Sequence, residues 1–292
     1  MFAATVFWAS TATLARFVFR DRHVPPLTVV ELRLSIAAIV LFLLLLARRR
    51  ESLKIAPRDI GYFLALGLFG VAAVQGSYYF TISKLGVGLA ILVQYLAPTL
   101  IVAFDLVRGR WVGWIMIVAV LCALVGTALL VGGVDQGALH ARPLYWAIAF
   151  LSAFVFAFYI VFSKRGLARY PPETVLLYTF TIAALFWAIV TPPWKIVAAG
   201  YSRDLWGVFV LLGLFSTLVP FGLFYAGLRR LPAAETGVIA TTEPLVAIFL
   251  AGFLLHEQLR PIQFAGAVLV LVAALLASRN APEATRAVVE RG

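Results

Sequence analysis

The sequence predicts an all-α membrane protein of ten transmembrane helices arranged as two inverted five-helix repeats. Hydrophobic residues make up 63% of the 292-residue chain and charged residues 13%. Soluble domains sit near about 45–50% and about 25%. The apolar residues fall into ten runs, each close to the roughly 20 residues that cover a hydrocarbon core about 30 Å thick. The chain also matches itself when shifted by 146 residues, half its length.

The runs are cut by charge, proline and glycine at about 2–19, 28–47, 60–82, 87–107, 111–131, 144–163, 174–192, 205–228, 235–254 and 261–278. The first lacks a basic leader and a convincing cleavage site around Ala15 and Arg16, so it reads as a retained helix rather than a signal peptide. The second follows Pro25-Pro26 and stops at Arg48-Arg49-Arg50; the third follows Asp59, and Gly86 separates it from the fourth. Arg108 and Arg110 precede the fifth, Lys164-Arg165 end the sixth, and Pro171-Pro172 open the seventh. The eighth ends at Arg229-Arg230, the ninth follows Pro232, and the tenth runs from Pro261 to Arg279. Loops are short, so sequential helices should be neighbours. The expected organisation is a first repeat over 1–143, a second over 144–279, and a polar, frayed tail over 280–292.

The net charge of +11 comes from 24 Lys and Arg against 13 Asp and Glu. Its clusters lie between apolar runs, the pattern of loops facing an anionic leaflet and not of a nucleic-acid surface. With the N-terminus cytoplasmic, 15 Lys and Arg fall inside and 7 outside, while Arg16 and Arg33 lie within helices. Both termini are therefore expected in the cytoplasm, although Arg20 and Arg22 in the first outer loop run against the trend. Cys122 stands alone in an apolar run and reads as a small buried hydrophobe, with no disulfide framework.

At the 146-residue offset, Gly61, Phe63, Leu66, Gly67, Leu68 and Phe69 recur as Gly207, Phe209, Leu212, Gly213, Leu214 and Phe215. Pro25-Pro26 meets Pro171-Pro172, Gly76 meets Gly222, Tyr79 meets Tyr225, Leu85 meets Leu231 and Pro98 meets Pro244. Five helices per half is an odd number, so the second half enters the membrane in the opposite sense. Inverted repeats build alternating-access carriers with a midplane site between the halves, and also occur in channels.

Trp8-Ala9-Ser10, Arg33-Leu34, Tyr79 with Leu85 through Pro98, and Thr241-Thr242-Glu243-Pro244 stand in an order and spacing that resembles the drug/metabolite transporter superfamily, in particular its EamA-type exporters. Gly126 and Gly266 sit where that family places small residues. The resemblance covers nearly the whole chain and is nearest to bacterial aromatic amino-acid and metabolite exporters. It implies a bacterial inner-membrane protein in which helices 1, 3, 4, 6, 8 and 9 surround a cavity, supported by 5 and 10.

Polar groups within the hydrocarbon region usually face a bundle interior or a wet cavity. Glu243 lies about eight residues into its helix, roughly 12 Å deep. It stands beside Thr241 and Pro244, whose missing donor frees a carbonyl one turn back. Such a carboxylate can bind a substrate amino group, exchange a proton, or hold a neighbouring helix. Gln94 and Tyr95 precede Pro98 in the matching half; Gln94 can donate and accept toward a zwitterion, or serve as a structural cross-helix bond. Helix three adds Gln75, Ser77, Tyr78 and Tyr79; the tyrosines point about 100° apart, so one of the two at most should face the cavity. Ser152, Phe156 and Tyr159 share a face of helix six, and helix eight offers Ser216, Thr217, Pro220 and Tyr225.

Trp8 lies deep enough for the cavity, whereas Trp111, Trp114, Trp146, Trp194 and Trp206 read as interfacial anchors. Arg33, near Glu31, and Arg16 are expected to snorkel in preference to the alternative of meeting a substrate carboxylate, and Asp105 to pair with Arg108 at the surface. Ala119, Ala123 and Thr127 form a small-residue ladder suited to an internal helix contact, which favours a monomer.

Enzyme signatures are missing from the sequence. His23, His140 and His256 fall in loops, His256-Glu257 lacks the second His of a zinc helix, and there is no P-loop or dinucleotide fingerprint. No metal or cofactor is expected. The sequence therefore points to a secondary carrier in the lipid bilayer, exporting small amphipathic metabolites, most naturally amino acids with aromatic or large apolar side chains. A polyspecific cationic-drug/proton antiporter is the alternative; it needs an acid reachable from both sides, and the first helix has none, which leaves Glu243 alone for that role.

Overall fold

The computed structural model describes residues 1–20, 22–131, 141–255 and 260–289. Among them the regular structure is helical, with no strand. The long helices are α1 (Phe2–Arg20), α2 (Pro26–Arg48), α3 (Pro57–Leu85), α4 (Val87–Val107), α5 (Trp114–Val131), α6 (Pro143–Leu167) and α7 (Pro172–Val190). Then come α8 (Arg203–Arg230), α9 (Ala233–Ala240 continued by Thr242–Leu255) and α10 (Pro261–Val289). Nine of these, α2 to α10, contain stretches long and apolar enough to cross a membrane; in α1 the apolar stretch is Phe2–Thr11.

Proline sets several starts: Pro26, Pro143, Pro172 and Pro261 each occupy the first helical position, where a missing N–H costs nothing. The expectation of a frayed tail is corrected at α10, which continues as helix past Arg279 to Val289; three of those ten residues are Ala, the best helix former. His23 occupies the α1–α2 turn with φ 53°. His140 and His256 lie outside the described residues, as does the side chain of Arg16.

Two helical distortions recur 146 residues apart. α3 is π-wound over Leu66–Ala72 and α8 over Leu212–Leu218. α4 breaks after Gln94 and α9 after Ala240, at Tyr95 and Thr241, three residues before Pro98 and Pro244. Each proline removes the N–H that the carbonyl four residues earlier would have accepted.

Close packing follows the same offset. A Cβ added at Gly67 would stand 2.6 Å from Ile182, and one at Gly213 would stand 2.6 Å from Ile36. The two glycines are 146 residues apart and so are the two isoleucines, so each half seats a glycine of its π segment against an isoleucine of the other. At the α5–α10 crossing, a Cβ on Gly126 would meet the Gly266 carbonyl at 2.9 Å. Ala119, Ala123 and Thr127 are buried in α5, so its small-residue ladder is used within the chain.

The end of the bundle that carries the α2–α3 and α6–α7 turns is held by polar bonds between the two halves. Tyr170 donates to Asp59 (2.6 Å) and accepts from the Ala56 amide (3.0 Å), and Arg169 pairs with Asp59 at 3.2 Å. Thr174 donates to the Ser52 carbonyl, Tyr178 to Leu53, and Arg49 pairs with Glu173. Tyr62 packs against Gly166 and donates to the Phe162 carbonyl. Lys164 Nζ donates to the carbonyls of Leu228, Arg229 and Leu231, capping the end of α8.

Trp111, Trp114 and Trp194 are more than two-thirds exposed, as interfacial anchors require, while Trp187 is buried against Gly76. The expected Asp105–Arg108 pair is corrected: Asp105 pairs with Arg110 at 2.9 Å, and Arg108 lies over the Phe104 ring at 4.5 Å. The helix ends between Asp105 and Arg110, and the turn folds Arg110 back.

Candidate functional site

A cavity of about 380 Å³ lies among α1, α2, α3, α4, α6, α8 and α9. Its walls include Trp8, Gln75, Tyr78, Tyr79, Gln94, Tyr95, Phe156, Ser216 and Glu243, nine of the side chains singled out from the sequence. Both Tyr78 and Tyr79 border it, contrary to the expectation of one at most. α3 projects into the space, so two directions of its surface are lined, and the two rings meet edge to face at 5.7 Å.

The α4 break turns Tyr95 so that its hydroxyl donates to Glu243 Oε2 at 2.7 Å. The carboxylate follows the matching break in α9, where Thr241 and Thr242 bond back to the carbonyls of Val238 and Ile239. Thr242 also meets Thr5 at 3.1 Å, which ties this part of α9 to α1.

Arg33 departs furthest from expectation. It does not snorkel: it is 6% exposed and borders the cavity. Its Nε donates to Thr217 Oγ1 at 2.9 Å and its Nη2 to the Ser216 carbonyl at 3.0 Å. Pro220, four residues beyond Ser216, has no N–H to give that carbonyl, and the guanidinium fills the place. The guanidinium carbon also stands 5.3 Å from the centre of the Tyr79 ring, a cation–π distance. Glu31 takes no part; Ser35 donates to it at 2.7 Å.

Five expected residues do not border the cavity, each for a local reason. Ser152 turns back to the Ala149 carbonyl, and Thr241 to Val238. Thr217 supports Arg33 instead of facing the space. Tyr159 and Tyr225 are fully buried in an aromatic stack with Phe224, and the Tyr225 hydroxyl pairs with Ser163 at 2.9 Å. That stack continues through Phe156 and Phe221 to Trp8, whose ring meets Phe221 at 5.2 Å, and so floors the cavity.

Sequence reasoning missed Thr11, Ile82, Ile91, Phe221 and Ala247 as wall residues. Thr11 sits three residues beyond Trp8, a spacing that shares its face; the apolar ones carry no signal that separates a cavity wall from a helix seam. Arg33 had one: an arginine in an apolar run, in a chain with a proline-freed carbonyl elsewhere. Among the described residues no cluster of His, Cys, Asp and Glu could hold a metal ion.

The cavity therefore places one cation and one carboxylate in a space otherwise walled by aromatic, aliphatic, amide and hydroxyl side chains, without an ion pair between them among the described residues.

Known proteins show the same architecture. A solved crystal structure at 24% identity superposes with a TM-score of 0.76, covering 97% of this chain and 96% of its own. An uncharacterized inner membrane transporter of Salmonella typhimurium, YicL, is 27% identical over 97% of this chain and 95% of its own length. An uncharacterized transporter of Archaeoglobus fulgidus is 26% identical over 94% of this chain and 95% of its own. The aromatic amino acid exporter YddG of Salmonella typhimurium is 25% identical over 63% of this chain and 64% of its own. The model of the EamA-like transporter family matches residues 1–132 and again 144–279. Matched across both stretches, this multi-pass membrane protein belongs to the EamA-like transporter family.

Proposed function

We propose that the chain is a secondary exporter of small zwitterionic amphipaths, in particular amino acids with aromatic or large apolar side chains. The observation that carries this reading is the pair of opposite charges, Arg33 and Glu243, on one aromatic cavity without a bond between them. An α-amino acid presents a carboxylate and an ammonium a few ångströms apart. Arg33 matches the first and Glu243 the second, with Gln75 and Gln94 available to either end and Trp8, Tyr78 and Phe156 to the side chain. The volume of about 380 Å³ lies in the range of about 300–1,000 Å³ usual for small-molecule sites. A cationic drug would meet Arg33 as a like charge, which disfavours the antiporter alternative.

In this reading ten helices span the membrane as two inverted repeats, 1–143 and 144–279, with both termini and residues 280–292 cytoplasmic. The matching π segments, the matching helix breaks and the exchanged Gly–Ile seats support the repeat. A reciprocal contact of this kind is what a two-fold relation between halves produces. The Lys164 end is then the cytoplasmic end, closed by the polar bonds of Asp59 and Tyr170, and transport proceeds by rocking of the halves about the cavity. The protein acts as a monomer in the plasma membrane, its α5 ladder being already covered by α10.

Counterflow in proteoliposomes tests the reading directly. Internal unlabelled L-phenylalanine or L-tryptophan should drive uptake of the labelled amino acid. Absence of counterflow for a broad amino-acid panel, with folded protein, would sink it, as would transport of L-phenylalanine that ignores substitution of Arg33.

A further inference from the structure

A second cavity, of about 560 Å³, lies at the opposite end of the bundle from Lys164. It is bounded by the start of α2, the end of α3, the end of α7 and the short helix Pro193–Ala198. Two features make it more than a gap between helices. Tyr79 borders both this cavity and the central one, and is the side chain their walls share. Lys195 borders it from the far side, exposed and without an ion-pair partner among the described residues. Between these two stand Phe80 and Tyr201, with the hydroxyls of Thr28 and Ser83. An aromatic, hydroxyl-bearing space with one cation suits an amphipath bearing a carboxylate.

We propose that this outer cavity is a second site for an amphipathic carboxylate, coupled to the central cavity through Tyr79. The proposal rests on the reading of the central cavity as a zwitterion site, and adds to it. The coupling has a physical basis in Arg33, whose guanidinium lies over the Tyr79 ring. A carboxylate bound at Arg33 competes for the charge that covers the ring, and so loosens this shared wall when the central site is filled. Lys195 then attracts the carboxylate end as the ligand moves outward. No acid among the outer walls competes for Lys195: the lining contains no Asp or Glu. A cationic ligand would gain nothing from this side.

The test places a thiol in the outer cavity. Ser83 is exposed and borders it, so Ser83→Cys in a Cys122→Ser background reports its occupancy through the rate of labelling by a membrane-impermeant maleimide. Saturating 3-phenylpropionate or L-phenylalanine should slow labelling roughly tenfold by mass action, and phenethylamine should not. Adding Lys195→Gln should abolish the protection. Calorimetry of L-phenylalanine in the Lys195→Gln protein reads the central site separately, and its signal should weaken when Glu243→Gln is added. If calorimetry finds binding but no carboxylate protects the thiol, the outer site is overturned and the central reading stands. If calorimetry finds none while 3-phenylpropionate still protects in a Lys195-dependent way, the outer site is supported and the zwitterion reading fails. Protection by anionic phospholipid nanodiscs alone, with none from the small carboxylates, overturns the proposal in favour of a lipid.

Discussion

Arg33 commits its Nε–H and one Nη2–H to α8, which leaves three of the five N–H groups of a guanidinium for a ligand. A lysine cannot brace itself on Thr217 and the Ser216 carbonyl and still present a fork to a carboxylate. Arg33→Lys should therefore weaken binding of L-phenylalanine by about 10–100-fold, the cost of one charge-assisted bond of about 1.5–3 kcal/mol. Affinity for phenethylamine should hold or rise, and calorimetry on both ligands separates the cases. Glu243→Gln should show the opposite ranking, with phenethylamine the greater loser. Tyr95→Phe should fall between wild type and Glu243→Gln, by about 0.5–1.5 kcal/mol, because it removes one bond from the carboxylate and leaves the charge. Equal losses for acid and amine in all three variants would show that the two charges do not divide the ligand between them.

At the scale of elements, the π segments of α3 and α8 show why some geometry was legible in sequence and some was not. The 146-residue match already paired Gly67 with Gly213 and Pro98 with Pro244. The breaks at Tyr95 and Thr241 follow from those prolines by simple backbone chemistry. The π winding does not: Leu66–Ala72 has the same apolar composition as any α-helical run, and only its packing distinguishes it. Arg33 was misread for a related reason. Its side chain is long enough to snorkel, and the acceptor that holds it inward lies 183 residues away, on another helix. A third expectation belongs here. Gly67→Ala and Gly213→Ala each drive a methyl against an isoleucine at 2.6 Å. Each should cost about 1–3 kcal/mol by overpacking, seen as matching losses in the thermal midpoint of the detergent-solubilised protein. Unequal losses would mean that the two seats are not equivalent.

For the whole molecule, a cluster of polar bonds between the halves lies at one end. The Lys164 end is stitched by Tyr170, Asp59, Thr174 and Tyr178, while both cavities lie toward the other end. If that stitching is the closed cytoplasmic side, Asp59→Asn with Tyr170→Phe should favour the state open to the cytoplasm. The check is labelling of a cysteine placed at Ser163 from the inside, which should accelerate; no change would show that the bonds only fasten the helix ends. Reporter fusions should place both termini in the cytoplasm and an insertion at Gly200 outside. The charge count across loops is the sequence's argument for that orientation, because Lys and Arg act through the leaflet potential and not through tertiary contact.

The exchanged Gly–Ile seats carry one more implication, for inheritance rather than motion. Each seat joins a residue of one half to a residue of the other, and its twin does the same with the roles swapped. A larger side chain arising at Gly67 can be relieved by a smaller one at Ile182, and the twin pair Gly213 and Ile36 offers the same bargain independently. Each seat can drift without the other, because none of the close contacts of the two glycines joins one pair to the other. Homologous chains should therefore show linked changes within a seat and none required between seats, so that the two halves grow apart in sequence while their fit is kept.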